Sequence, residues 1–121
     1  MQEVSLSELV GKILSDVAVN ADMDEIVFRT NDGAVYCMYH LQDCCEEVYI
    51  EDICGELDWL IGTPILVAEE RTSEGNCKDE YDESCTWTFY TISTIKGTVV
   101  IRWYGTSNGY YSESVSFVRI T

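Results

Sequence analysis

Arg102 is the residue whose type and surroundings most invite chemistry. It sits in Thr98–Tyr104, read as a β-strand, where Val99, Ile101 and Trp103 alternate onto one face and Val100, Arg102 and Tyr104 onto the other. Gly105-Thr106-Ser107-Asn108-Gly109 follows as a cluster of turn formers, and then Tyr110 and Tyr111. A guanidinium can grip a phosphate with two parallel hydrogen bonds while a tyrosine ring stacks on a base. Arg102, Tyr104, Ser107, Asn108, Tyr110 and Tyr111 are therefore the candidate ligand-binding group, suited to a planar or anionic molecule. The competing structural reading pairs Arg102 with Glu113 across the sheet as an ion pair.

Other constellations are weaker. Cys37, His40, Cys44 and Cys45 are four soft ligands within a short run. Adjacent cysteines do not both point inward on a strand, and no second ligand pair follows at zinc-finger distance, so no metal is expected. These thiols are read as small hydrophobes. His40 is the only histidine, which leaves most acid–base schemes to carboxylates. Glu46, Glu47, Glu51, Asp52, Glu56 and Asp58 read as a solvated face, and the clusters at Asp22–Glu25 and Asp79–Glu83 do not match a calcium loop. No phosphate-binding glycine loop, GxSxG or HExxH motif occurs. The expectation is a protein that is not an enzyme and carries no cofactor.

Composition narrows the partners. The chain has 121 residues and a net charge of −15, from 22 acidic against 7 basic residues. That excess disfavours direct contact with nucleic acid or an anionic membrane, and suits a basic partner or solubility alone. A hydrophobic fraction of 46% is too high for a disordered acidic tail. No stretch approaches the roughly 20 apolar residues of a membrane span, and the first residues lack a basic, then apolar, export signal. Six cysteines without such a signal are expected to be free thiols in a reducing cytoplasm.

The elements that must position Arg102 follow from pattern. Thr86–Thr94, Thr98–Tyr104 and Tyr110–Arg119 are expected to form a three-stranded antiparallel meander, with Ile95-Lys96-Gly97 as its first reversal. Upstream, Ser5–Val10 reads as a short helix with a Ser5/Glu8 capping box ending at Gly11. Lys12–Val19 reads as a strand and Asn20–Asp24 as a turn. Glu25–Thr30 and Ala34–Tyr39 read as a hairpin about Asn31-Asp32-Gly33. Cys44–Ile50 is expected as a return strand and Glu51–Leu60 as a helix stopped by Gly62. Ile65–Ala68 is expected as a central strand and Arg71–Ser84 as a mobile loop. The sum is a single α+β domain over residues 1–121: a mostly antiparallel, curved sheet of about seven or eight strands with two short helices.

Two segments, Val48–Glu70 and Thr86–Phe117, resemble a family of short, acidic, uncharacterised proteins encoded by bacteriophages and prophages, and the likeness runs from about Leu9 to the end. The resemblance implies a viral accessory protein in the cytoplasm of a bacterial host. At the level of context, the chain is also similar to the Thoeris anti-defence sponges, which bind a nucleotide immune signal without cleaving it. The expected function is non-catalytic immune evasion by sequestering a small nucleotide-like signal. The alternative is an acidic mimic of nucleic acid that blocks a basic groove on a host defence nuclease. A phage structural or assembly part without a ligand is the third reading, and a homo-oligomer is compatible with any of them.

Overall fold

In a computed structural model, which describes residues 2–121, the chain folds as two antiparallel sheets around one core. The strands are β1 (Gln2–Glu3), β2 (Leu14–Val19), β3 (Glu25–Thr30), β4 (Val35–Tyr39), β5 (Glu47–Cys54), β6 (Val67–Glu74), β7 (Ser84–Thr94), β8 (Gly97–Ser107) and β9 (Ser116–Arg119). One sheet has the order β1-β9-β4-β3-β2 and the other β5-β8-β7-β6. The only helical segments among the described residues are two single 3-10 turns, Leu6–Leu9 and Leu57–Leu60. The chain is thus mostly antiparallel sheet, and the expected pair of helices is replaced by these turns.

The β7–β8 hairpin is the longest element pair. Thr94 lies opposite Gly97, so Ile95 and Lys96 form a two-residue reversal. Alternation places Tyr90, Ile92, Val99, Ile101 and Trp103 in the core, and the Trp103 indole N–H points to the Met38 sulfur of the other sheet at 3.2 Å. Gly97 is required by packing, because a Cβ there would meet the Trp59 ring at 2.6 Å. The β3–β4 hairpin forms as its Asp-Gly signal predicts, with Ile26 opposite Met38 and Phe28 opposite Tyr36.

Three expected elements fall differently. The segment 51–60 is not a helix. Glu51–Cys54 continues β5 after a bulge at Glu51, and only Leu57–Leu60 turns. Ile53, Leu57 and Leu60 satisfy a helical spacing, but pairing with the exposed side of β8 supplies a ladder that an isolated helical turn lacks. Ile65–Ala68 is not a central strand. β6 begins at Val67 and runs as a sheet edge through Glu74, into the stretch expected to be a loop. Its charged sequence suits an edge.

The third correction moves the end of the chain. Tyr110–Arg119 does not extend the meander. Only Ser116–Arg119 is a strand, and it joins the other sheet between β1 and β4. Phe117 stacks on Tyr36 with centroids 5.4 Å apart and meets Phe28 edge-on. That aromatic burial outweighs the local strand propensity of Tyr110 and Tyr111.

Candidate functional site

Arg102 lies on the outer face of the four-stranded sheet. Cα partners in an antiparallel ladder share a face, so Arg71, Phe89, Arg102 and Asp52 form one row across β6, β7, β8 and β5. Ser73, Trp87, Tyr104 and Tyr49 form the next row. The Arg102 guanidinium sits 5.4 Å from the centre of the Trp87 ring, and its nearest carboxylate oxygen belongs to Asp52 at 3.8 Å. The structural partner is therefore Asp52 and not Glu113. The Arg102 Nε is enclosed and makes no hydrogen bond among the described residues.

Lys78 reaches the same face from the loop after β6. Its Nζ donates to Tyr49 Oη and Glu51, and lies 5.3 Å and 5.5 Å from the Tyr49 and Tyr104 ring centres. The Glu51 and Tyr49 hydrogen bonds push the ammonium pKa upward, so Lys78 is a persistent cation. Arg71 forms no ion pair among the described residues, and with Phe89 it lines a hollow of about 250 Å³. Three of the seven cations thus share one face with four aromatic rings. Glu47, Glu51, Asp52 and Glu69 also lie there, and Asp82 accepts from the Tyr104 hydroxyl, so the three cations are gathered on a face that still carries more carboxylates than cations.

The six expected site residues do not converge. Tyr104 is on the Arg102 face but buried, its hydroxyl donating to Asp82 and accepting from the Lys78 backbone at 3.2 Å. Burial first, and Asp82 second, raise its hydroxyl pKa to about 12. Ser107 is turned inward and donates to Glu113. Asn108 closes a turn by accepting from the Tyr110 N–H at 3.0 Å, and the Tyr110 ring is 89% exposed. Tyr111 lines a cleft on the opposite side of the sheet. Arg71, Lys78, Trp87 and Phe89 are absent from the group expected from the sequence. The period-two spacing of Trp87 and Phe89 on β7, one strand from Arg102, is the signal that points to them.

Around His40, Nδ1 meets the Ser114 carbonyl at 2.6 Å and Nε2 meets Glu46 at 3.2 Å. Glu46 is buried and also accepts the Asp43 and Cys44 backbone N–H groups. The Asp43 bond is the main cause holding its pKa at about 2, below the usual 4.5. Glu46 is therefore not part of a solvated face. It is a latch that fastens the β4–β5 connection. Cys37 is buried with its thiol on Glu25, and burial raises its pKa to about 12, which leaves it unreactive. No group of three or more His, Cys, Asp or Glu side chains among the described residues is arranged to hold a metal.

The expectation of six free thiols is corrected. Cys77 joins Cys85, with Cα atoms 5.6 Å apart, and Cys44 joins Cys45, leaving Cys37 and Cys54 free. The Cys77–Cys85 link ties the segment after β6 to the start of β7, a juxtaposition that spacing alone does not reveal.

Fold and site together define a small two-sheet antiparallel β protein with Tyr49, Trp87, Phe89 and Tyr104 on the outer face of one sheet. Residues 7–117 match a domain of unknown function (DUF7448), and the chain belongs to that family. A search of the curated proteins and of the solved structures found no match. No helix among the described residues is long and apolar enough to cross a membrane.

Proposed function

We propose that this chain is a non-catalytic binding protein that captures a small nucleotide-like molecule on the outer face of the four-stranded sheet. The observation that supports it is the row Arg71–Phe89–Arg102, backed by Trp87 and Lys78. A base would stack on Phe89 or the exposed part of Trp87, and phosphate oxygens would take the donors of Arg102 and Arg71. The two arginines differ in role. Arg71 has no ion-pair partner among the described residues, whereas Arg102 must exchange Asp52 for the ligand. Capture of this kind suits a phage-encoded anti-defence protein in a bacterial cytoplasm. The competing mimic of nucleic acid loses Glu46 from its charged face, since that carboxylate is turned inward to His40.

Two measurements test this reading. Small molecules released by heat from protein purified out of expressing cells are analysed by mass spectrometry, with a nucleotide expected. Titration with adenine and guanine mono- and dinucleotides is then followed by tryptophan fluorescence. Saturable quenching is expected, and it should be lost in Trp87→Phe. Quenching that survives in Trp87→Phe, or no binding by any nucleotide, would overturn the proposal.

A further inference from the structure

Lys78 reaches the outer face from the connection between β6 and β7, and a covalent link fixes where that connection lies. Residues 75–83 contribute no side chain to the hydrophobic core, and Tyr81 within them is 83% exposed. Apolar burial therefore does little to order the segment. Its attachments are few and specific. Cys77 is bonded to Cys85, near the start of β7. The Gly75 N–H donates to the Cys85 carbonyl at 3.3 Å, and the Trp87 indole N–H donates to the Asn76 carbonyl at 3.1 Å. Just past the link, the Lys78 N–H donates to Tyr104 Oη at 3.2 Å, and that hydroxyl donates to Asp82.

Asn76, Cys77 and Lys78 are consecutive, so the link sits between the Trp87 contact and the cation. The hydrogen bonds of an exposed segment compete with water and are individually weak. A cross-link between residues eight apart instead removes most of the segment's freedom at once. Cys85 is buried in the sheet, whereas Cys77 is half-buried, which makes Cys77 the sulfur open to an incoming thiolate.

We propose that Cys77–Cys85 is a site of thiol–disulfide exchange that takes a dithiol reductant, and that its redox state sets whether Lys78 is held on the outer face. A thiolate of the dithiol attacks Cys77 Sγ, the S–S bond breaks, and Cys85 leaves as a thiolate. The reductant's second thiol then displaces Cys77 from the mixed disulfide. Two electrons and two protons pass to the protein, leaving two cysteine thiols and the oxidised reductant. Hydrogen bonds alone then retain the segment, and Lys78 spends less time on Tyr49 and Glu51. Arg71 and Arg102 stay, because β6 and β8 hold them. The effect on capture rests on the outer-face reading; the release of the segment does not.

Hydrogen exchange of the full chain, read by mass spectrometry before and after dithiothreitol, tests the site. Amides of residues 75–83 should exchange about tenfold faster after reduction, with β3 and β4 unchanged. Cys77→Ser with Cys85→Ser should exchange fast in both conditions. Cys44→Ser with Cys45→Ser should keep the response, which controls for the other link. Equal exchange of residues 75–83 in the two states, a response lost with the Cys44–Cys45 link, or faster exchange throughout β3 and β4 would overturn the proposal. Should the Cys77/Cys85 serine pair fail to fold, the parent chain before and after dithiothreitol decides the matter. The same samples are titrated with adenine and guanine dinucleotides. Reduction should weaken binding by about three- to tenfold, and Lys78→Ala should remove that difference. Equal affinity in the two states would overturn the coupling to Lys78. Binding by neither state, with the exchange difference intact, would overturn the outer-face reading and support the switch.

Discussion

Arg102→Ala separates a binding arginine from a structural one. The substitution removes one approach to Asp52 at 3.8 Å and the contact over Trp87. The two side chains are 39% and 51% exposed, so the pair is solvated and screened. Exposed ion pairs contribute about 0.2–1 kcal/mol, and an exposed cation–π contact about 0.5–1 kcal/mol. Truncation also removes the enclosed, unpartnered Nε, which offsets part of that loss. The net destabilisation expected is about 1 kcal/mol, or roughly 3–5 °C in Tm for a chain of this length. A double-mutant cycle with Asp52→Ala in urea should give a coupling of about 0.5 kcal/mol. Nucleotide binding should fall much further, by about 10- to 100-fold, because hydrogen bonds to charged groups are each worth about 1.5–3 kcal/mol. Arg102→Lys should recover only part, since the fork is lost. A loss of more than about 3 kcal/mol in stability, coupled to Asp52, would show that the guanidinium is structural, and unchanged nucleotide binding would remove it from the site.

Gly97→Ala forces a methyl against the Trp59 ring, at a cost of about 1–3 kcal/mol measured by chemical denaturation, and truncating Trp59 in the same chain should relieve it. Glu46 has a folded pKa near 2 against an ordinary 4.5, so its contribution is fully present above pH 4.5 and is lost as pH falls toward 2. The stability gap between the parent chain and Glu46→Gln should therefore be widest at neutral pH and close across that window; a gap that is constant with pH would show that the carboxylate charge is not its source. Thiol titration of the unreduced, denatured protein should find two thiols, Cys37 and Cys54, rising to six after reduction.

The sequence by itself determined the local units. Asp32-Gly33 between alternating runs specified the β3–β4 hairpin, and the alternation of Val99, Ile101 and Trp103 specified which side of β8 is buried. Both signals act over a few residues, where turn chemistry and the two-residue period of a strand suffice. Long-range packing decided the rest. Leu57 and Leu60 fit a helix as well as a turn, and only the free edge of β8 drew the preceding residues into β5. Tyr110 and Tyr111 have strand propensity, but Phe117 finds Tyr36 and Phe28 in the opposite sheet and carries the end of the chain there. The candidate site divided for the same reason. Phe89 and Trp87 reach Arg102 through the local β7–β8 hairpin, but Arg71 joins their row only because the stretch expected to be a loop pairs with β7 as β6, while Ser107 and Tyr111, close to Arg102 in sequence, went to the opposite face. Strand register is set by the summed burial of many side chains, a quantity that exists only once the two sheets have met.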